Sequence, residues 1–347
     1  MALPVIGISM GDPLGIGPEV IVKALDSASL RGKARFVIYG QNARLTLAAD
    51  RAGRHPSWFR VAAESDRASM PLLGDVTVLD YGESDLAPGQ PGPSRSGGLA
   101  SKQFIEDAIT DALRPAGDPR RIDAIVTGPI SKESWSLAGF RWPGHTELLA
   151  ARTRAKRHAM MFVSPKLRVA LVTAHLPLMD VRNVLTIGRV FDPIELGHDL
   201  CRSLGIARPV IAVAGLNPHA GEGGLFGDEE TRVIGPAIDA AKRQGIDARG
   251  PFPGDTVFIA AAEGKFDLVV AMYHDQGLIP VKLLGWDSAV NVTVGLPIVR
   301  TSPDHGTAFD IAGKGIANEG SMRAAIELAI ELAAGRCSGA AADVARG

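Results

Sequence analysis

Three histidines recur at the same kind of position. RVALVTAH, VIAVAGLNPH and LVVAMYH are short, β-branched apolar runs that read as strands, and each delivers an imidazole at its carboxyl end: His175, His219 and His274. Side chains at neighbouring carboxyl ends of parallel strands can converge. Three imidazoles with open positions make a catalytic rather than a structural site for a divalent ion, zinc first, with magnesium or cobalt as alternatives. Taken singly, each histidine would read as a hydrogen-bonding loop residue, since their spacing matches no short metal motif. The recurrence in register is what points to an ion.

Around the third histidine lies the densest run of reactive side chains, residues 265–319. Lys282 and Arg300 flank the apolar segment AVNVTVGLPIV, which also holds Asn291, and two cations with an amide suit the grip of a phosphate or carboxylate. HGTAFDIAGKGIAN follows, with Gly306, Gly313 and Gly315 bending the backbone around small apolar residues and the carboxylate of Asp310. Two proton carriers are candidates. Asp255 in PFPGDTVF reads either as a turn carboxylate or as a relay beside an ion, and Lys132 after TGP is the second. His145 and Thr146 in PGHTE read, on their own, as a turn and a helix cap.

The elements that must position these groups alternate. PVIGIS, RFVIYG, DVTVLDYG and IDAIVTGP read as strands, EVIVKAL as a helix opened by Pro18, and 87–98 as a loop. A helix then runs from Leu99, with Leu99, Phe104, Ile105, Ala108, Ile109 and Leu113 on one apolar face. TELLAARTRAK is a helix that Thr146 could cap, and SMRAAIELAIELAAGR is a last helix capped by Ser321, followed by a frayed tail. Such alternation implies an α/β fold, a mostly parallel sheet with helices on both faces. The glycine turn GDPLGIG between the first strand and helix leaves an anion-binding and a purely structural reading open, because neither G-x-G-x-x-G nor a P-loop is present.

Bulk properties narrow the class. At 347 residues and 46% apolar, the chain has material for about two domains with full cores, and a net charge of −1 gives no basic face for nucleic acid or a membrane surface. No apolar run nears the roughly 20 residues of a spanning helix, so the cytoplasm is the default. Cys201 and Cys337 form no disulfide framework or metal pair, and His55, His158 and His198 read as surface residues.

The ordered motifs MGDPLGIGPE, TGPISK, PGHTE, TAHLPL, GLNPHAGEGG and YHDQG are similar to those of the 4-hydroxythreonine-4-phosphate dehydrogenase family of vitamin B6 biosynthesis, from about residue 5 to about residue 335. HGTAFDIAGKGIAN further resembles the adenosine loop of the isocitrate and isopropylmalate dehydrogenases, with Phe309 where those usually have proline. The resemblance implies two α/β/α domains with the active site in the cleft between them. Residues 1–130 plus 290–347 would bind nucleotide, and 131–289 would carry metal, substrate and the dimer interface. It implies a homodimer with metal ligands from both subunits, the three histidines as those ligands, and His145, Thr146, Lys282, Asn291 and Arg300 as substrate contacts. His305, Gly306, Thr307, Asp310, Ile311 and Asn318 would contact the cofactor. A carboxylate at Asp310 can accept from ribose hydroxyls and repel a 2′-phosphate, which favours NAD over NADP.

The implied reaction is metal-assisted, NAD-dependent oxidation at C3 of 4-phosphohydroxy-L-threonine, giving a β-keto acid that loses carbon dioxide. Sister enzymes acting on D-threonate or D-erythronate 4-phosphate share these motifs. A metal-dependent hydrolase or aldolase would use the histidines without a nucleotide, and a phosphate-sensing module would need no metal.

Overall fold

The structure, a computed structural model, describes residues 3–55, 57–65, 74–82 and 91–344. The first stretch runs β1 (Val5–Ser9), α1 (Gly17–Leu25), α2 (Ala28–Arg31), β2 (Arg35–Gly40), α3 (Asn42–Ala52), β3 (Phe59–Ala62) and β4 (Val76–Asp80). It continues with α4 (Arg95–Ala112), β5 (Ala124–Thr127), α5 (Lys132–Leu137), α6 (His145–Thr153), β6 (Ala159–Val163) and β7 (Arg168–Leu171). Then come α7 (Val181–Val184), α8 (Ile187–Ser203), β8 (Val210–Ala214), α9 (Gly235–Arg243), β9 (Asp247–Phe252) and α10 (Val257–Ala262). The last elements are β10 (Leu268–Ala271), α11 (His274–Gly285), β11 (Val290–Val294), β12 (Val299–Pro303) and α12 (Gly320–Val344).

Two compact units result, Met1–Ala155 with Leu296–Gly347, and Lys156–Gly295. The chain crosses at 155/156 and 295/296, where the sequence reading set the crossings near 130 and 290. In the first unit the strand order is β3-β4-β2-β1-β5-β12, every pair parallel. Because helices cover both faces, β2 and β4 are buried along almost their whole length rather than alternately. The chain runs outward from β1 on one side and continues through β5 on the other, so the carboxyl ends of β1 and β5 make a topological switch point, the usual seat of ligands in such sheets. Their loops touch through backbone: Asp12 N–H donates to Pro129 O at 2.9 Å, and a Cβ on Gly11, at φ 78°, would lie 2.2 Å from that oxygen. Glycine is required there.

In the second unit the order is β11-β6-β7-β10-β8-β9; β11/β6 and β6/β7 are antiparallel and the rest parallel. β10 lies between β7 and β8, so the segments leading to His175, His274 and His219 leave neighbouring strand ends.

Several local expectations are corrected. α4 starts at Arg95, inside the expected loop, because Ser94 Oγ accepts from Gly97 N–H at 3.0 Å and caps it. Residues 87–90 of that loop lie outside the described residues. Gly97 and Gly98 are helical residues at a close crossing, where a Cβ on Gly98 would stand 2.1 Å from Ser134 O. Leu99 and Leu113 are not on the buried face; they are 43% and 46% exposed. Thr146 is not a cap: the extended residue before α6 is Gly144, with no side-chain cap. Nor does Ser321 cap α12. Asn318 Oδ1 accepts from Gly320 N–H at 2.7 Å, and Ser321 Oγ instead accepts from Asp304 N–H at 3.1 Å. The tail is helical to Val344.

Candidate active site

Arg300 sits on β12 opposite Ile125 of β5, 4% exposed, and its Nη2 donates to Thr127 Oγ1 at 2.8 Å. Burial pushes its pKa down to about 10, partly opposed by the charge of Glu147. His145, the first residue of α6, is 8% exposed, with its ring edge-on to Trp135 at 5.4 Å between centroids. Trp135 is fixed in turn by donation from Nε1 to Ser101 Oγ at 3.0 Å. Burial, then the charge of Arg300, hold His145 well below its ordinary pKa, so the imidazole is neutral. Its Nε2 is buried without a hydrogen-bond partner. A desolvated guanidinium beside a neutral imidazole with an unused nitrogen is an arrangement that an incoming oxyanion would complete. Thr146 follows on the same helix, and Lys132 opens α5 with an exposed side chain, Ser131 Oγ capping that helix by accepting from Ser134 N–H at 3.0 Å.

Of the expected ligands, the second unit brings two together. The rings of His175 and His274 stand 5.8 Å apart, a span that two nitrogens each about 2 Å from one ion can accommodate. Both line a cavity of about 310 Å³ with Tyr273, Asp275, Leu178 and Val181. Asp275 Oδ1 lies 2.7 Å from His274 Nδ1, which leaves the other ring nitrogen for a ligand, as carboxylates behind metal-binding histidines do. His219 instead lines a second cavity of about 590 Å³ with Asp255 and Gln276; Tyr273 and Asp275 border both cavities. Among the described residues no group of three or more His, Cys, Asp or Glu is close enough to hold an ion. The donors fit a divalent ion as a pair awaiting further ligands, not as a complete set.

The reason lies in the backbone of GLNPHAGEGG. His219, Ala220, Gly221, Glu222 and Gly223 all have positive φ, from 44° to 83°, a left-handed turn that costs non-glycine residues roughly 1–2 kcal/mol each. Buried carboxylates hold its approach: Glu230 Oε1 accepts from Leu216 and Asn217 N–H at 2.7 and 2.8 Å, and Asn217 Nδ2 donates to Glu229 at 2.7 Å. A relay joins the three histidine segments. Thr173 Oγ1 donates to Met272 O, Met272 N–H to Gln276 Oε1, and Gln276 Nε2 to Gly215 O, each at 2.7 Å. Sequence reasoning missed Thr173, Glu230 and Thr127, and gave Gln276 no role. Thr127, Thr173 and Gln276 lie inside the TGPISK, TAHLPL and YHDQG motifs, whereas Glu230 carried no signal.

The remaining candidates lie on other elements. Asp255 is exposed in the β9–α10 turn, Lys282 is half-buried on α11 with Nζ 5.4 Å from the Trp286 ring centre, and Asn291 on β11 has a buried Oδ1 without a partner. In the 305–318 loop, His305 Nδ1 lies 3.1 Å from Gly306 O while its Nε2 is buried and unpartnered. Thr307 O accepts from Ile16 N–H, Ile311 N–H closes a turn on Ala308 O, and Asp310 is exposed. Asn318 is committed to the start of α12. The loop thus carries an imidazole nitrogen without a partner and, five residues on, an exposed carboxylate.

The fold is a mostly parallel α/β sheet, and the relatives of the chain are dehydrogenases, which makes its class that of the α/β oxidoreductases. The chain belongs to the family described as pyridoxal phosphate biosynthetic protein PdxA, whose profile matches residues 32–329. It is 45% identical over 344 residues to a 4-hydroxythreonine-4-phosphate dehydrogenase of Beijerinckia indica, covering 94% of each chain. Over 339 residues it is 48% identical to a D-threonate 4-phosphate dehydrogenase of Cupriavidus necator, covering 96% of this chain and 98% of that one. Among solved structures, a 4-hydroxythreonine-4-phosphate dehydrogenase of Klebsiella pneumoniae matches with a TM-score of 0.81 at 42% identity, covering 95% and 98%. No helix among the described residues is long and apolar enough to cross a membrane.

Proposed function

We propose that the chain oxidises the C3 hydroxyl of 4-phosphohydroxy-L-threonine with NAD, giving 2-amino-3-oxo-4-phosphooxybutanoate, which decarboxylates to 3-amino-2-oxopropyl phosphate. The observation that carries this is the buried Arg300 beside neutral His145, a corner that calls for a phosphate or carboxylate. Arg300 binds the anion, His145 hydrogen-bonds it without adding a second desolvated charge, and Lys282, Thr146 and Asn291 complete recognition. His175 and His274 would hold the divalent ion, with His219 as the third ligand, in a homodimer whose two subunits share each site. When bound, that ion supplies Lewis acidity to the C3 hydroxyl, and nicotinamide supplies the hydride acceptor. Asp255 takes the hydroxyl proton on its carboxylate, with Lys132 as the alternative carrier. The 305–318 loop, through His305, Gly306, Thr307, Asp310, Ile311 and Asn318, binds the adenosine end, Asp310 favouring NAD over NADP.

D-threonate 4-phosphate is a second substrate to weigh, because the relative of that name is as similar as those named for hydroxythreonine. Each phosphate is supplied in turn with NAD and zinc, and NADH is followed by absorbance. Turnover of the amino acid is the expected result; turnover of the hydroxy acid alone would move the assignment to the sister activity.

A further inference from the structure

Two charged side chains one turn apart on α1 reach across the first unit to the backbone of the 305–318 loop. Lys23 Nζ donates to Gly315 O at 2.8 Å, to Ala317 O at 2.7 Å and to Glu19 Oε1 at 3.0 Å, which uses all three of its protons. Glu19 accepts from Ala317 N–H at 2.6 Å and from Gly315 N–H at 3.3 Å. The side chains are 10% and 3% exposed. Together they satisfy both polar groups of Gly315 and of Ala317, and so substitute for the ladder that this loop, having no neighbouring strand, lacks. At the loop's other end, Ile16 N–H donates to Thr307 O at 2.9 Å, and a Cβ on Gly15 would stand 2.9 Å from that oxygen.

A buried ion pair is weak evidence for stability, since its desolvation offsets its attraction; its attested use is to specify one conformation among several. Here the conformation specified is that of a loop with Gly315 at φ 73°, and Ile316, between the two clamped residues, is left 66% exposed. The clamp also fixes a wall of a cavity of about 370 Å³, to which Glu19, Pro18, Arg44, Arg51, Ala312 and Gly313 contribute. That volume falls in the range of small-ligand sites.

We propose that Glu19 and Lys23 are positioning residues for the nucleotide: they hold the 305–318 loop in its binding shape through its backbone. This rests on the assignment of that loop to nucleotide binding. The glycine turn and helix at the start of the chain thereby acquire a role that is neither anion binding nor a turn alone.

The test uses the full-length protein and the variants Glu19→Gln, Lys23→Met and Gly315→Ala; the last moves the loop without leaving a charge buried, because its Cβ would meet Arg51 O at 2.6 Å. NAD affinity is measured by calorimetry, folding by near-ultraviolet circular dichroism, and KM separately for nucleotide and phosphorylated substrate. Weakening of NAD binding by at least about tenfold is expected, with the KM for nucleotide rising in step, the KM for the other substrate changing little and Lys23→Arg recovering part of the loss. Wild-type protein that binds NAD, with folded variants that bind it within twofold, overturns the clamp alone. Wild-type protein that binds no NAD overturns the nucleotide assignment, and the clamp with it. If Glu19→Gln and Lys23→Met do not fold, Gly315→Ala decides by the same criterion.

Discussion

Arg300 and His145 are 4% and 8% exposed, whereas the side chains of His219 and His274 are 66% and 39% exposed. The first pair is held dry by the sheet and by Trp135, and both groups show it: the guanidinium is pushed down to about 10 and the imidazole well below its ordinary range. The histidine segments are wet, and their order comes from side-chain hydrogen bonds to the backbone rather than burial. One corner is therefore held in place before any ligand arrives, with stability spent to keep a cation out of water. The other supplies donors on a hydrated surface and leaves the last step of assembly to the ligand. Substitutions should separate the two, because in the first corner loss of function and gain of stability go together.

The largest effect is expected at Arg300. Arg300→Met removes the desolvated cation while keeping most of the volume, and the loss of a buried charged contact to substrate should lower kcat/KM by about 3 kcal/mol, roughly a hundredfold. The same change should leave the urea midpoint unaltered or raise it, since the depressed pKa of Arg300 means that the folded chain disfavours this charge relative to the unfolded one. A variant with full activity, or one that loses activity and stability together, would break the contrast.

A smaller effect is expected where the surface is wet. Asp275→Asn removes the carboxylate behind His274 Nδ1, and loss of such an outer partner typically weakens metal binding about 10- to 100-fold. Because Asp275 is 73% exposed, the melting temperature of the metal-free protein should not move. Zinc calorimetry on the two proteins after chelator dialysis reads the difference; equal affinities would remove His274 from the ligand set.

The parts legible in the sequence were those written locally. Apolar β-branched runs marked β1, β2, β4, β5, β7, β8 and β10, and the parallel α/β fold followed from their alternation with helices. The strands that escaped are β3 and β9, at the sheet edges, with mostly exposed or charged residues, the antiparallel β6, and β11 and β12, which read only as the single apolar segment AVNVTVGLPIV. Edge strands lack the buried stripe on which pattern reading depends. Candidate side chains were also legible by type, but their partners were not. That Arg300 meets Thr127, or that Gln276 ties Met272 to Gly215, depends on strand order, and no spacing rule reports it. Likewise the left-handed path through His219 and Ala220 is invisible to periodicity, although it decides where that imidazole goes.

The smallest effect lies in the pH dependence of the dry corner. His145 has its folded pKa depressed below the ordinary 6.5. Above that value folded and unfolded chains are both neutral at this position, and the group contributes nothing to the pH slope. Below it the unfolded chain takes up a proton that the folded chain refuses, so stability falls as the pH drops from about 6.5 toward the depressed value. Asp12 acts with the opposite sign. Burial raises its pKa above 3.8, so its folded form keeps a proton that the unfolded form has lost, and its contribution disappears as the pH rises through that raised value. The two are separated by His145→Gln, which keeps a hydrogen-bonding side chain that cannot titrate. Urea midpoints compared between about pH 7.5 and pH 5.5 should decline more in the wild type than in the variant. Parallel declines would mean that His145 takes up its proton in the folded protein as easily as in the unfolded chain, and that the corner around Arg300 is wetter than its burial indicates.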